Sequence, residues 1–207
     1  MKRKLLSVAM AAVMTVACLT GCSGSGDFSK SSFISAAKSS GMKEIEETTE
    51  LNNIFADQEK HVAFYYDDKN IKVYEFAGSP FQDHVSKTYV DEFVMAGESI
   101  GKTDDRGRCI TRIYYVTVKD RDTAEELYNS VKRGLVKPEE GEKNGVTYTI
   151  SYQGSHNEGS TVELAVGVYL MDNHIVWIRS DYDTTLKNKT VENFCKSLGL
   201  VSPYTAG

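Results

Sequence analysis

Two pairs of aspartates, each pair separated by one residue, are candidates for chemistry because carboxylates at this spacing can begin a cation site. The pairs are Asp120 with Asp122 and Asp181 with Asp183. A calcium loop needs three or more oxygen ligands in series and usually a glycine, and neither pair has them. Both pairs precede a segment with helical periodicity, where an aspartate accepts hydrogen bonds from free backbone N–H groups. We therefore predict helix caps and no metal site.

A glycine-containing segment, AGESIGKT over residues 96–103, fits a relaxed phosphate-binding pattern. That chemistry needs backbone N–H groups around the phosphates, Lys102 on the terminal phosphates and the Thr103 hydroxyl on Mg²⁺. It also needs a helix that begins at the lysine and points its N-terminus at the anion. A polar run, DDRGR, follows instead and leads into a strand. We therefore predict a glycine-rich hairpin loop, an ordinary role for Lys102 and no bound cofactor.

The histidines and nucleophiles form no known catalytic pattern. His61, His84, His156 and His174 are dispersed, without the paired spacing that binds zinc. The sequence also has no Gly-x-Ser-x-Gly motif. A triad assembled only in space leaves no local signal, so its absence counts against an enzyme without excluding one. We assign no catalytic residue from the sequence.

The 12 tyrosines lie mostly in segments with strand character, and neighbours such as Tyr114 and Tyr115 place one ring on each face of a sheet. A ring on a solvent-exposed face near Trp177 would form a binding platform, since aromatic side chains are enriched at interfaces. Tyrosine also packs well inside sheets, with its hydroxyl at the edge of the apolar region. We favour packing within the sheet over a recognition surface.

The elements that position these residues follow from hydrophobic periodicity and turn signals. Helices are predicted over residues 27–41, over 122–135 and from about Thr184 to Gly199. Residues 85–96 fit a helix or a strand, and we favour a strand because β-branched residues are frequent there. The other strands are predicted over residues 62–66, 71–76, 109–118, 146–152, 162–170 and 175–179.

Tight turns at residues 67–70 and 172–173 join four of these strands into two hairpins. Hairpins with interspersed helices, in place of alternating βαβ units, predict an α+β fold. We expect an antiparallel sheet built of hairpins with the helices packed on one face. The presence of one hairpin in each part of the chain leaves open a domain of two related halves.

Residues 1–22 contain the parts of a secretory signal: three basic residues, then an apolar stretch too short to span a membrane. The stretch ends in Leu19-Thr20-Gly21-Cys22, which resembles the lipobox of bacterial lipoproteins. The resemblance implies that the Cys22 thiol takes a diacylglyceryl group, and that cleavage leaves Cys22 as an acylated N-terminus. It covers these residues only and says nothing of the domain that follows.

The sequence SGSG after Cys22 is typical of a flexible spacer. Outside the signal and Cys22, the cysteines are Cys109 and Cys195, and an exported domain permits a disulfide between them. Two separate buried thiols are the alternative. The predicted organisation is a signal peptide over 1–21, a lipidated cysteine and tether over 22–29, a single domain over 30–201 and a tail over 202–207.

The chain is 41% hydrophobic and carries a formal charge of −5, or about −8 once the three basic residues of the signal are removed. This acidity disfavours nucleic acid as a partner. The sequence therefore predicts a membrane-anchored extracytoplasmic lipoprotein with a non-enzymatic binding domain for an unidentified envelope protein or ligand. The alternatives are a solute-binding component of a transporter, and an envelope hydrolase whose site leaves no sequence motif.

Overall fold

The computed structural model describes residues 28–45, 61–67, 90–100, 109–157, 160–183 and 189–206. In this part of the chain the helices are α1 (Lys30–Ser39), α2 (Arg121–Lys132) and α3 (Thr190–Leu198), and a 3₁₀ turn spans Pro203–Thr205. None of the helices in these ranges is long and apolar enough to cross a bilayer. The strands are β1 (Lys43–Ile45), β2 (His61–Asp67), β3 (Val90–Ile100), β4 (Cys109–Val118), β5 (Glu139–Lys143), β6 (Val146–Asn157), β7 (Ser160–Met171) and β8 (His174–Asp183).

The eight strands form one sheet in the order β1-β2-β3-β4-β8-β7-β6-β5. β1 pairs with β2 in parallel, and every other neighbouring pair is antiparallel. The α+β prediction with a mainly antiparallel sheet is confirmed, as are the strand over 109–118 and the hairpin over 162–179. Residues 90–96 are a strand, as predicted, whereas 85–89 lie outside the described residues. The second strand of the predicted 62–76 hairpin, residues 71–76, also lies outside the described residues. The first strand corresponds to β2, which pairs with β1 and β3.

Helices cover both faces of the sheet, so the prediction that they pack on one face is wrong. On one face, α1 and α3 pack Phe33 and Phe194 against Tyr115 of the central strand β4. On the other face, α2 packs Leu127 and neighbouring residues against Val168 of β7. A helix has the same kind of apolar stripe whichever face of the sheet it covers. Hydrophobic periodicity therefore could not show which face each helix packs on.

The strand order is symmetric about the β4–β8 pair, but the two parts of the chain are not otherwise equivalent. If the chain had two related halves, a two-fold axis perpendicular to the sheet would relate β4 to β8. Such an axis would place equivalent helices on the same face of the sheet. The helix that follows β4 and the helix that follows β8 nevertheless lie on opposite faces. β1 is also parallel to its neighbour, whereas β5 is antiparallel. Two related halves are therefore not confirmed.

α1 ends where the sequence predicted but begins at Lys30, later than the predicted start at residue 27. The Ser29 hydroxyl accepts a hydrogen bond from the Ser32 N–H at 3.3 Å and caps the first turn. At the other end Gly41 has φ of 92°, and the Met42 N–H donates to the Ala37 carbonyl at 3.1 Å. This left-handed glycine ends the helix, as its position in the sequence predicted.

The aspartate pairs have different roles in the structure. The Asp120 carboxylate caps α2 by accepting a hydrogen bond from the Thr123 N–H at 2.9 Å. Hydrogen bonding to the Thr123 side chain, and then to its backbone N–H, lowers the pKa of Asp120. Helix capping is thus confirmed for this pair. It is wrong for Asp181 and Asp183, because pairing with β7 extends β8 as far as Asp183. Consequently α3 begins at Thr190 instead of Thr184.

The sequence left open a disulfide between Cys109 and Cys195 or two separate thiols, and in this structure Cys195 is a free, buried thiol. Cys195 contacts the hydroxyl of Tyr169, whose ring lies over Gly167. Gly167 is level with Ile113 of β4 through the β7–β8–β4 pairing. Cys109 lies four residues farther along β4 and two strands away, so its Cα is about 16 Å from that of Gly167. A disulfide needs Cα atoms within about 7 Å, so this sheet register prevents the bridge.

We expect the Cys195 thiol to resist alkylation in the native protein. Burial raises its pKa to about 12, and the thiolate is the form that reacts with iodoacetamide. At mildly alkaline pH, Cys195 should stay unmodified until the chain is unfolded in guanidinium, with no reductant required. Mass spectrometry of the digested protein measures this. A disulfide-linked peptide containing both cysteines, recovered without reductant, would contradict the structure.

Candidate functional site

The three central strands β3, β4 and β8 change from apolar to polar toward one end. On the face covered by α1 and α3, the side chains of Ala96, Ile113 and Ile178 belong to the apolar core. Two residues farther toward this end, each strand places a polar side chain on the same face. These residues are Glu98, Thr111 and Ser180, and none is more than 1% exposed.

Strand pairing places these three polar residues side by side. Glu98 is opposite Thr111, and Thr111 is opposite Ser180. The two hydroxyls are hydrogen-bonded, with 2.9 Å between the Thr111 Oγ1 and Ser180 Oγ atoms. A buried carboxylate loses much of its hydration energy, so a glutamate at Glu98 in place of an apolar residue opposes stability.

The other face of the same strands carries two arginines. Arg112 of β4 is directly opposite Arg179 of β8, and both are half-buried. The Arg179 guanidinium donates two hydrogen bonds to the Asp181 carboxylate, at 3.0 and 3.3 Å. We call the row Glu98, Thr111 and Ser180 on one face, together with Arg112, Arg179 and Asp181 on the other, the polar end of the sheet.

An aromatic stack borders the arginines. The Phe93 and Tyr114 ring centroids are 5.5 Å apart, and those of Tyr114 and Trp177 are 5.1 Å apart. All three rings are buried, and burial raises the pKa of Tyr114 to about 12, against a smaller lowering by the nearby Arg112 charge. The interpretation that these aromatics pack inside the sheet is confirmed, and these rings form no exposed platform.

A second polar cluster lies at the opposite end of the sheet. The Tyr115 hydroxyl and the Thr117 hydroxyl each lie 3.0 Å from Nδ1 of His174, and Thr117 also donates to Tyr115. The Tyr115 and His174 rings are stacked, with centroids 5.9 Å apart. His174 is thus a half-buried residue at the start of β8, a central strand of the sheet. The cluster joins β4 to β8 and is a structural feature.

The polar end offers hydrogen bonds and charge, but its described residues do not form a catalytic set. His61 is opposite Glu98 in β2, so three strand spacings, about 14 Å, separate its backbone from that of Ser180. A serine, a histidine and a carboxylate must be in direct hydrogen-bond contact to act as a triad. In the described ranges no group of three or more His, Cys, Asp or Glu side chains is placed to hold a metal ion.

The segment with the phosphate-binding pattern lies next to the polar end. Its first five residues, 96–100, form the end of β3, and Ile100 pairs with Cys109 at the start of β4. The segment therefore joins two antiparallel strands, as the predicted hairpin requires. Lys102 and Thr103 lie outside the described residues, and so does Cys22. The sequence analysis assigned no role to Glu98, Arg112 or Arg179. The signal that could have pointed to the two arginines was their position inside predicted strands, where charged residues are infrequent.

Comparisons with known proteins give little further information. No protein-family model and no curated protein matches this sequence. Among solved structures, the chain is similar to the extracellular domain of PknH from Mycobacterium tuberculosis, with 11% sequence identity and a TM-score of 0.34. The match covers 75% of this chain and 91% of that one. At this TM-score the likeness supports no conclusion about fold or function.

Proposed function

We propose that this chain is a bacterial lipoprotein, anchored to the cell membrane through Cys22 and facing outside the cytoplasm, whose domain binds a ligand of the cell envelope without catalysing a reaction. The observation that carries the proposal is the position of the polar end. It lies at the end of the sheet opposite the point where the tether enters the domain.

The tether enters beside the start of β3. Lys30, the first residue of α1, forms an ion pair with Glu92 of β3, with 3.3 Å between Nζ and Oε1. Glu98 of the polar end lies six residues farther along the same strand, about 20 Å away. Entry point and polar end are therefore separated by most of the length of the sheet.

The tether is short and its inner end is fixed. Phe28 is 5% exposed and packs in the core formed by α1, α3 and the sheet. Only five residues separate Phe28 from Cys22, so the lipidated residue lies within about 20 Å of the entry point. A lipid at Cys22 would thus hold the entry end of the sheet near the membrane, which supports a polar end directed away from it.

Binding fits the chemistry of the polar end better than catalysis. Its described side chains supply guanidinium donors, hydroxyls and carboxylates held on rigid strands. These groups recognise a ligand through charge and hydrogen bonds. The distance between Ser180 and His61 argues against a serine hydrolase at this row. The envelope hydrolase is therefore the weaker alternative.

The anchor is tested by replacing the cysteine that would carry it. We expect Cys22→Ala to move the protein from the membrane fraction to the medium, or to leave it uncleaved, because the acylated thiol is absent. Cys18→Ala is the matched control, since Cys18 lies inside the predicted signal and should leave the distribution unchanged. Fractionation followed by mass measurement of the N-terminus gives the result. Wild-type protein that is wholly soluble with an unmodified N-terminus would contradict the anchor.

A further inference from the structure

The turn between β5 and β6 consists of an asparagine followed by a glycine. Asn144 and Gly145 have φ of 55° and 79°, and positive φ at both positions is what a type I′ hairpin turn requires. Lys143 pairs with Val146 across the turn, so the two residues between them form its tip. Both tip residues are exposed. The turn therefore presents an Asn-Gly pair to water.

The space around Gly145 is open. Apart from its chain neighbours, no described atom lies within 4 Å of a Cβ built at this glycine. Because glycine itself has no Cβ, its backbone nitrogen can be approached from the side of the preceding residue. The side-chain amide of Asn144 can therefore come close to the Gly145 nitrogen without displacing another part of the protein.

The tight turn between β7 and β8 holds its asparagine differently. The Asn173 amide donates a hydrogen bond to the Val118 carbonyl at 2.6 Å, and the Asn173 carbonyl accepts one from the Val118 N–H at 3.0 Å. The next residue is His174, whose side chain shields its own backbone nitrogen. Two asparagines in tight turns of one sheet thus differ in how easily their amides can react.

We propose that Asn144 is a site of spontaneous deamidation, at which the folded protein forms aspartate and isoaspartate through a succinimide. The Gly145 backbone nitrogen attacks Cγ of Asn144, and the new N–Cγ bond closes the ring. The Cγ–Nδ2 bond breaks, and the amide nitrogen leaves as ammonia with the proton of the Gly145 N–H. Water then adds to one of the two ring carbonyls and breaks its bond to the ring nitrogen, which leaves a carboxylate.

The reaction would place a negative charge at the C-terminal end of α3. The Nδ2 atom of Asn144 lies 3.5 Å from a Cβ built at Gly199. Gly199 is the left-handed cap of α3, with φ of 68°. The last carbonyls of a helix carry a partial negative charge, so a carboxylate at this position is less favourable than an amide. Deamidation should therefore weaken the end of α3.

Peptide mapping tests the reaction. The purified full chain is incubated for weeks in mildly alkaline buffer, digested and analysed by mass spectrometry. We expect the peptide with Asn144 to change in mass from the amide to the carboxylate form and to become a substrate for an isoaspartate methyltransferase. The peptide with Asn173 should stay unchanged in the same sample. Asn144→Gln should abolish the reaction at this turn, because the longer side chain would have to close a larger, less favoured ring.

Two substitutions test the effect on α3. Asn144→Asp reproduces the charge of one product and should lower the midpoint of thermal unfolding by about 1–3 °C. Asn193→Asp makes the same change at an exposed position near the start of α3. It should not lower the midpoint, because the helix dipole favours negative charge at that end. Circular dichroism verifies that each variant is folded.

Three outcomes would overturn the inference. Deamidation of Asn144 only after unfolding in guanidinium would mean that the folded turn protects the amide. Equal rates at Asn144 and Asn173 would show that the two turns do not differ. A midpoint for Asn144→Asp no lower than that for Asn193→Asp would refute the effect on α3. None of these results bears on Cys22 or on ligand binding, so the proposed function fails or stands separately.

Discussion

Phe33→Ala is expected to lower the free energy of unfolding by about 3–5 kcal/mol, the range for removal of a fully buried phenylalanine. The Phe33 side chain is 0% exposed, and its ring lies 5.1 Å from that of Phe194 and 5.6 Å from that of Tyr115. It therefore joins α1 to both α3 and the central strand β4. Its truncation leaves a cavity that three elements would have to close. Urea denaturation, with the midpoint and slope fitted together, measures the loss.

The matched control for this prediction lies on the same helix. Ser35 is exposed, and Ser35→Ala should change the free energy of unfolding by less than about 0.5 kcal/mol, as surface substitutions usually do. If Phe33→Ala costs no more than Ser35→Ala, α1 does not pack on the sheet. The proposed entry point of the tether would then be wrong as well.

Gly167→Ala should destabilise the protein by about 1–3 kcal/mol, the usual cost of overpacking a core. An added Cβ would lie 2.5 Å from the Tyr169 hydroxyl oxygen, because the tyrosine ring folds back over this glycine. The ring cannot easily move, since it is fully buried and its hydroxyl donates to the Val201 carbonyl at 2.7 Å. Thermal unfolding of the variant is the measurement.

Gly134→Ala is the control for Gly167→Ala. The nearest atom to its added Cβ is the Val131 carbonyl oxygen at 3.5 Å, an ordinary contact. This variant should unfold within a degree or two of the wild-type protein. Equal destabilisation by the two substitutions would mean that the close approach of Tyr169 to Gly167 is absent in solution.

Much of the sheet could be predicted from the sequence because its strands carry a strong local signal. β4, with its β-branched and aromatic residues, was predicted with the observed bounds, and the strand predicted over residues 146–152 is the first part of β6. β5, Glu139–Lys143, was missed because Glu, Lys and Gly are infrequent in strands. It is held by its pairing with β6 and by a turn at Asn144-Gly145, where both residues have positive φ. That Asn-Gly pair was a hairpin signal in the sequence.

The polar end could not be predicted, since its parts are distant along the chain. Arg112 and Arg179 become neighbours only through the β4–β8 pairing, which no local pattern specifies. Glu98 was interpreted as part of a glycine-rich loop, whereas it continues β3 and is buried. An even number of cysteines also left open whether Cys109 of β4 and Cys195 of α3 form a disulfide, because their separation depends on how α3 packs on the sheet. Likewise, the apolar stripe of each helix does not indicate which face of the sheet the helix covers.

The orientation of the lipidated protein on a membrane tests the anchored arrangement most directly. Lys119 is exposed just after β4 at the entry end, and Gly154 is exposed on β6 at the polar end. Through the β6–β7–β8–β4 register, Gly154 is level with Cys109, ten residues from Lys119, so the two positions are about 33 Å apart along the strand direction. Each is replaced by cysteine in a Cys109→Ser background, where the remaining thiol of the domain, Cys195, is buried.

Each variant is labelled with a fluorophore and reconstituted through its lipid into vesicles that carry a headgroup acceptor dye. We expect markedly stronger energy transfer from Lys119→Cys than from Gly154→Cys, because the entry end is held near the bilayer. A non-lipidated Cys22→Ala form of each should show little transfer. Equal transfer from the two positions, or stronger transfer from Gly154→Cys, would contradict an anchored domain that directs its polar end away from the membrane.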